Sequence, residues 1–138
     1  VEFALILPLL VLMLIGVVDM GRMVYFRSIL ESAARVGAQT AFADPGATST
    51  ITAAVQAAAS AGGITSTVTV TAPEACRCTD GSSVDCTTGT CVLGSVHHYV
   101  TVTGTMTYTP LVNLANLPFG LGIDLSQAIT AQVVMRAQ

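Results

Sequence analysis

The chain has 138 residues, of which 52% are hydrophobic and only 9% are charged, and its mean hydropathy is +0.72. About a quarter of the residues in an ordinary soluble domain are charged, so this composition is typical of a chain that contacts lipid or other protein subunits. The net charge is −3, lysine and tryptophan are absent, and there are five arginines. Nucleic-acid binding requires a clustered basic surface, and we therefore expect no nucleic-acid partner.

The most distinctive segment is an apolar run near the start of the chain. Residues 3–18 contain no charged and no polar side chain, and a carboxylate stands at each end, Glu2 and Asp19. As a helix the run would be about 24 Å long, slightly shorter than the roughly 30 Å hydrocarbon core of a bilayer. Twelve of its residues are Leu, Ile, Val or Phe, which makes insertion favourable by about 4–7 kcal/mol. The run therefore predicts a helix that can reside in a membrane and can continue beyond Asp19.

The flanks of this run differ from those of a cleaved secretory signal. A signal peptide has a basic region before its apolar segment and small residues at the cleavage site after it. Here no basic residue precedes the run, and Asp19 and Arg22 follow it. Pro8 and Gly16 lie inside the run, and membrane helices tolerate both where neighbouring helices cover the freed backbone groups. We therefore expect a retained helix.

The helical pattern continues after the run. Apolar or small residues recur at steps of three and four: Met23, Phe26, Leu30, Ala33 or Ala34, Gly37 and Ala41. Arg27, Glu31 and Arg35 fall four apart on another face, where Glu31 can pair with either arginine. Pro45 disfavours helix in the preceding residue, so the helix should end near Phe42. Such a helix is roughly 60 Å long, too long for the rest of the chain to cover, and its first half must project.

The rest of the chain predicts a second helix and an antiparallel sheet. Residues 48–63 are rich in alanine, Thr48 or Ser49 can cap the start of this helix, and two glycines end it. Three later segments alternate apolar residues with polar ones, mostly threonine, which predicts strands that are buried on one side. These segments are residues 64–72, 96–109 and 123–138. The second helix and the C-terminal half of the first are expected to cover the apolar face of the sheet.

The predicted fold class is α+β, with a long protruding N-terminal helix and a small head that has a second helix and a three- to four-stranded antiparallel sheet. We divide the chain into residues 1–43, a helix whose first half is expected to be buried in a membrane or among other copies of the chain, and residues 44–138, an extracellular head with a disulfide-bonded loop over residues 76–91. The connection over residues 110–122 is apolar for a loop. It is either a short helix that closes the core or an exposed contact patch.

Four cysteines lie close together, at Cys76, Cys78, Cys86 and Cys91. In a chain with an export-type segment, an even cluster predicts two disulfides. A zinc site is the alternative, although zinc sites usually contain paired C-x2-C units and the spacing here is C-x-C-x7-C-x4-C. The segment is predicted to form the tip of a hairpin. A hairpin tip favours nested disulfides, in which Cys76 bonds to Cys91 and Cys78 bonds to Cys86.

The sequence motifs do not indicate a catalytic or metal site. His97 and His98 are adjacent on a predicted strand, so they point to opposite faces and cannot both bind one metal ion. The sequence contains no G-x-S-x-G, no phosphate-binding loop and no H-E-x-x-H. We therefore expect no metal, no cofactor and no enzymatic activity.

A family resemblance is carried mainly by the opening segment, VEFALILPLLVLMLIGVVDMGR, which begins with EFAL and ends with an acidic residue followed by Gly-Arg. Further segments that match are AARVGAQTA, YTPL and AITAQVVMR. These segments resemble TadE-like proteins, the pseudopilins of tight-adherence (Tad) pilus systems within the type IV filament superfamily. The resemblance covers most of the chain and is least specific in the strands.

The resemblance implies a protein that is assembled into a filament. A prepilin peptidase would remove a short basic leader, and the helix would wait in the inner membrane until the pilus assembly machinery moved it into an extracellular filament. In type IV pilins a glutamate near the cleavage point neutralises the terminal amine of a neighbouring subunit, and Glu2 is the matching residue. A carboxylate is costly inside a bilayer and becomes favourable when an amine meets it away from water. Asp19 and Arg22 can pair within the helix or across subunits.

We therefore expect a pilin-like structural subunit that forms a homo-oligomeric filament for adhesion and biofilm formation, with the membrane as its environment before assembly. The candidate subunit contacts are Glu2, Phe3, Pro8, Gly16, Asp19 and Arg22. Two alternatives stay open. One is a minor pseudopilin that primes or tips a pilus made of another pilin, and the other is a single-pass membrane-anchored binding protein.

Overall fold

A computed structural model describes residues 2–111 and 126–137 of the chain, apart from the side chains of residues 2, 4 and 5. Within these ranges the fold is α+β, as the sequence predicts, with two helices and one antiparallel sheet. The helices are α1 (Glu2–Ala43) and α2 (Thr48–Ala61). The strands are β1 (Thr69–Thr71), β2 (Glu74–Cys78), β3 (Ser83–Val84), β4 (Val96–Tyr108) and β5 (Gln127–Ala137).

Helix α1 has 42 residues and is about 63 Å long at 1.5 Å per residue. It continues through Pro8 without a break. It ends at Ala43 because Pro45 disfavours a helical conformation at Asp44. The Asp44 carboxylate also closes the following turn, since its Oδ1 accepts a hydrogen bond from Gly46 N at 3.1 Å. The predicted extent of the helix is confirmed.

Helix α2 begins differently from the prediction. The expected cap by Thr48 or Ser49 is wrong, because Ala47 precedes the first helical residue and no side chain caps this end. The physical reason is the tight turn that precedes the helix, in which Thr48 N already donates to Gly46 O at 2.9 Å. The other end agrees with the prediction, since the helix stops at Gly62.

Strand β4 is the centre of the sheet. It pairs with β5 on one side, from His98 opposite Ala137 to Tyr108 opposite Gln127. On its other side β4 pairs first with β2 and then with β1, and β3 pairs with the outer edge of β2. All four pairings are antiparallel. All three strands that pair with β4 therefore lie beside a single long strand that fixes the register of the head.

The predicted strands are confirmed in type but not in number. The segment 96–109 corresponds to β4, the described part of 123–138 corresponds to β5, and the segment 64–72 contributes only the short strand β1. Strands β2 and β3 were not predicted, because five and two residues are too few to show a periodic pattern. The apolar connection over residues 110–122 lies outside the described residues except for its first two positions.

The core lies between the inner face of the sheet, the C-terminal half of α1 and α2. Small residues bring these layers close together: a Cβ atom added at Gly104 would lie 3.2 Å from Leu30 Cδ1, so α1 rests almost directly on the backbone of β4. The largest fully buried side chains are Leu30, Ile51, Val55, Val100 and Val102. The head is therefore organised around residues 30–41 of α1, and Met23, Phe26 and Ile29 pack against the edge of the same core.

Gly37 permits the close contact between α1 and α2, and Gly37→Ala should destabilise the head. A Cβ at this position would overlap Val55 Cγ2 and lie 3.2 Å from Val102 Cγ1. Both valines are fully buried and stiff at χ1, so we expect a loss of about 1–2 kcal/mol in the free energy of unfolding. Urea unfolding of the full chain in detergent micelles measures this loss.

Gly21→Ala is the matched control for this substitution. Nothing lies within 4 Å of a Cβ added at Gly21, and alanine favours a helix interior over glycine by up to about 1 kcal/mol. The two Gly-to-Ala changes in one helix should therefore shift the stability in opposite directions. Equal effects of both substitutions would contradict the packing described for Gly37.

Candidate functional site: the bare helix and the Asp19 junction

The N-terminal half of α1 is not covered by the rest of the described chain. Its apolar side chains are exposed, with 80% of Phe3, 68% of Leu14 and 72% of Val17 accessible. Among the described residues, α1 supplies the one helix that is long and apolar enough to cross a membrane. Its most apolar window has a mean hydropathy of 2.0 and is 0% buried. We call residues 3–18 the bare helix.

The head joins α1 at Asp19, directly after the bare helix. The side chain of Asp19 is only 18% exposed. Its Oδ1 accepts a hydrogen bond from the Tyr108 hydroxyl at 2.6 Å, and the Leu111 amide donates to the same carboxylate at 3.1 Å. Tyr108 is the last residue of β4 and is 4% exposed. This Asp19 junction therefore ties the end of the central strand to the helix where the apolar run stops.

Arg22 and Phe26 complete the surroundings of the junction. The Arg22 guanidinium lies 3.9 Å from Asp19 Oδ1 as an intrahelical pair and 5.7 Å above the Phe26 ring. The Phe26 and Tyr108 rings have centroids 6.0 Å apart. Because the Arg22 side chain is 39% exposed, its ion pair contributes little. The carboxylate of Asp19 is held mainly by the two donors from the head.

Burial raises the pKa of the Tyr108 hydroxyl above its usual value, and the hydrogen bond to the Asp19 carboxylate and the charge of Asp19 raise it further. Each of these causes favours the neutral phenol over the phenolate. The Tyr108 hydroxyl therefore stays protonated at neutral pH and can donate its hydrogen bond to the Asp19 carboxylate.

The structure divides the predicted contact residues into two groups. Phe3, Pro8 and Gly16 lie exposed on the bare helix, and Glu2 lies at its start, where the structure does not describe its side chain. Asp19 and Arg22 form an intrahelical pair, one of the two arrangements predicted for them. An intersubunit role for any of these residues stays a prediction.

Sequence reasoning missed Tyr108 and Leu111 as partners of Asp19. Both belong to the segment YTPL, residues 108–111, which contributes to the family resemblance but does not indicate a contact with Asp19. A signal was therefore present, but a pairing across 89 residues has no local pattern that could reveal it.

The four cysteines form two disulfides, as predicted, but the nested pairing is wrong. Cys76 bonds to Cys86 and Cys78 bonds to Cys91. The Cα atoms of the two pairs are 5.2 and 5.6 Å apart, within the ordinary range for disulfides. The bridges are therefore interleaved along the sequence.

Strand register explains the interleaved pairing. Cys76 lies opposite Val84, and Cys86 follows Val84 by two residues, so both cysteines lie close together on one face. Cys78 lies opposite the first residue of β4, where the chain returns from Cys91. The segment is thus not a single hairpin tip, which the nested pairing assumed, but a short hairpin followed by a second turn.

Two aspartates build these turns. Asp80 Oδ1 accepts a hydrogen bond from Ser82 N at 2.9 Å, and Asp85 Oδ1 accepts one from Thr87 N at 2.8 Å. Hydrogen bonds from Ser82 lower the pKa of Asp80, and those from Thr87 lower the pKa of Asp85. Both turns therefore have an ionised carboxylate at neutral pH.

His97 and His98 point to opposite faces of β4, as predicted. His98 Nδ1 lies 2.6 Å from Glu74 Oε1 on the face that carries Cys76. On the other face, Arg136 Nη2 donates to His97 Nδ1 at 2.7 Å. The two histidines therefore have different partners and cannot act together.

Residues 1–39 match the model of the TadE-like protein family. The match covers the N-terminal region of the chain and leaves the head outside it. This region contains the bare helix, Asp19, Arg22 and the part of α1 that the head covers, and the predicted resemblance is confirmed there. No curated protein and no solved structure matches the chain. This match is the observation that points to a Tad pilus-related protein, and it lies on the helix that is long and apolar enough to cross a membrane.

Proposed function

We propose that this chain is a structural, pilin-like subunit that polymerises through α1 into a Tad-type pilus filament. The observation that carries the proposal is the bare helix: residues 3–18 form an apolar rod about 24 Å long that no other described part of the chain covers. Exposed apolar surface of this size requires lipid or protein around it. The match of residues 1–39 to a pilus-related family supports lipid around the helix before assembly and neighbouring subunits around it in the filament.

The position of the head supports helix-to-helix packing between copies. Among the described residues the hydrogen bonds between the head and α1 begin at Asp19, and the side chains of the rod before it are almost all exposed. Copies can therefore bring their rods together without a collision between the heads and the rods of their neighbours. Gly16 and Gly21 have open space at the position of a Cβ atom, and such small residues allow close approach of helices in an apolar environment.

The assembly exchanges lipid contacts for contacts with identical rods. Hydrophobic burial does not favour this step, because lipid tails are as apolar as leucine, so the association depends on packing and on polar pairs. We assign the polar pair to Glu2 and an amine of the neighbouring subunit, as in other type IV pilins. Such a pair sets the register between subunits because unpaired charges in an apolar core are costly.

The proposal places the subunit in the inner membrane before assembly, where prepilin peptidase and the pilus machinery act on it, and in an extracellular filament afterwards. The head then decorates the outside of the filament, where two disulfides stabilise a small domain in an oxidising environment. Adhesion and biofilm formation follow from the exposure of many identical heads. The proposal assigns no catalysis to the chain.

Imaging of filaments tests the proposal. Material sheared from cells that express the full chain should contain fibres in which this chain is the repeating subunit, with residues 3–18 in the central density. Fibres that carry the chain only at one end would instead favour a minor pseudopilin. Stable monomers in detergent that do not associate at any concentration would favour a single-pass anchored binding protein. Either result would contradict the polymerisation role.

A further inference from the structure

The inner face of the sheet carries a cluster of four side chains with metal-binding atoms, which we call the Glu74 cluster: Glu74, Cys76, Cys86 and His98. One ligand atom from each residue lies within 4.8 Å of those of all the others. His98 Nδ1 is 2.6 Å from Glu74 Oε1 and 3.3 Å from Cys76 Sγ. The proposed assembly through α1 uses none of these residues, so their convergence is unexplained by that function.

Strand register creates the Glu74 cluster. Cys76 and His98 are directly opposite in the ladder between β2 and β4, and Glu74 precedes Cys76 by two residues, so it lies on the same face. Cys86 is held beside Cys76 by the turn after β3. Three successive segments within residues 74–98 therefore present four donor atoms to one small region that is partly shielded from solvent, with Cys76 only 3% exposed.

The two sulfur atoms are bonded to each other in this structure, so they are not metal ligands in the oxidised chain. We propose that the chain binds one Zn²⁺ ion at the Glu74 cluster when the Cys76–Cys86 disulfide is reduced. Two thiolates, one imidazole nitrogen and one carboxylate oxygen are ligands that zinc takes in tetrahedral sites. The disulfide and the zinc ion would be alternative cross-links for the same loop.

The exchange between the two states balances in atoms and electrons. A dithiol reductant transfers two electrons and two protons to the Cys76–Cys86 bond, which gives two thiols, and the reductant becomes a disulfide. Zn²⁺ then replaces the two thiol protons, which pass to solvent, and binds neutral His98 at Nδ1 and one oxygen of Glu74. A disulfide oxidant that accepts two electrons from the thiolates, and is itself reduced to a dithiol, re-forms the Cys76–Cys86 bond, removes the two thiolate ligands and therefore releases the metal.

The other disulfide lacks such partners. Cys78 and Cys91 are not members of any metal-capable cluster among the described residues, and His97 faces the opposite side of the sheet toward Arg136. Reduction should therefore create one zinc site and not two. This difference gives the proposal an internal control.

Cobalt spectroscopy tests the site in the full chain. The chain in detergent micelles is reduced with a water-soluble phosphine, which takes up oxygen from water as the two thiols form, and is titrated with Co²⁺. We expect thiolate-to-cobalt charge-transfer bands and the visible bands of a tetrahedral site, saturating at one ion per chain and removed by added Zn²⁺. Without reduction, neither set of bands should form.

Adjacent histidines supply a matched pair of variants. His98→Asn should weaken binding of Co²⁺ at least about tenfold, whereas His97→Asn, one residue away on the other face, should leave it unchanged. Bound Zn²⁺ should also protect the thiols of Cys76 and Cys86 from alkylation, read by mass spectrometry, and leave those of Cys78 and Cys91 reactive.

Three results would overturn the proposal: no charge-transfer bands in the reduced wild-type chain, equal loss of binding in the two histidine variants, or unchanged binding after Cys76→Ser with Cys86→Ser. All three concern the reduced head and do not depend on whether filaments form. The zinc proposal can therefore fail while the assembly proposal stands, and the reverse also holds.

Discussion

Leu14→Arg is expected to abolish filament formation while the subunit remains in the membrane and the head remains folded. Leu14 lies in the bare helix and is 68% exposed. The apolar run gains about 4–7 kcal/mol from insertion, and an arginine at the centre of a membrane helix costs about 2.5–3.5 kcal/mol. Insertion therefore stays favourable for the single chain. In a filament, by contrast, every copy would place a charge among the rods of its neighbours, without a partner of opposite sign.

Quantification of sheared filaments, with the membrane fraction measured in parallel, checks this expectation. Leu93→Arg is the matched control, because Leu93 is 77% exposed but lies in the head, two residues after Cys91, outside the proposed filament core. The same chemical change should therefore leave the filament yield near that of the wild type. A Leu14→Arg variant that assembles as well as the Leu93→Arg variant would show that the bare helix is not the assembly surface.

The parts of the fold that could be predicted from the sequence are those with a long periodic pattern. Helix α1 is predicted to within one residue of its end, because an apolar run and a helical periodicity follow each other without interruption until a proline. Strands β4 and β5 are predicted because threonine alternates with mostly apolar residues from Val100 to Tyr108 in β4, and Ile129, Val133 and Met135 share the inner face of β5. In each case the local pattern and the tertiary packing favour the same structure, which is the condition for a reliable prediction.

The parts that were missed depend on contacts between distant segments. The disulfide pairing follows from the register of β2 against β3 and β4, and neither β2 nor β3 is long enough to show a pattern. The missing cap of α2 follows from the turn at Gly46, which starts the helix without a side-chain acceptor. For the cysteines and for the start of α2, the residue types can be read from the sequence, but their bonding partners are set by tertiary structure.

The candidate site also has a part that the sequence predicts and a part that only the fold reveals. The bare helix and its flanking carboxylates could be predicted, because composition alone distinguishes an apolar run from a soluble helix. The role of Asp19 within its own chain could not, since a carboxylate at the end of such a run has the same appearance whether it binds a neighbouring subunit or its own head. Only the fold brings Tyr108 within 2.6 Å of it.

Asp19→Ala should cost about 2–3 kcal/mol in the free energy of unfolding of the head. Hydrogen bonds to a charged acceptor contribute about 1.5–3 kcal/mol, and a buried donor that loses its partner adds a desolvation penalty. In this variant two donors lose the carboxylate as their acceptor. They are the Tyr108 hydroxyl, on a residue that is 4% exposed, and the Leu111 amide. The Tyr108 hydroxyl still lies 3.1 Å from the backbone oxygen of residue 19, which limits the loss. Urea unfolding of the full chain in micelles measures it.

Glu31→Ala is the control for Asp19→Ala, because it also removes a carboxylate from α1. The Glu31 pair with Arg27, at 3.2 Å, is on the surface, with side chains 47% and 64% exposed. Such a helical pair contributes only about 0.3–0.5 kcal/mol. The contrast between the two variants therefore isolates the buried junction from the general effect of removing a negative charge from the helix.

Alkaline pH tests the same junction without changing the charge of Asp19. The pKa of Tyr108 is raised in the folded head, so folding favours the neutral phenol, and this contribution is complete below the unfolded value of about 10. As the pH rises above about 10, the unfolded chain releases the Tyr108 proton first and the contribution is lost.

Tyr108→Phe should remove this part of the alkaline slope. Asp19→Ala should reduce it only in part, because burial is the largest cause of the shift and remains in that variant. A slope that is unchanged in Tyr108→Phe, or an Asp19→Ala loss no larger than that of Glu31→Ala, would mean that core packing alone holds the head on the helix.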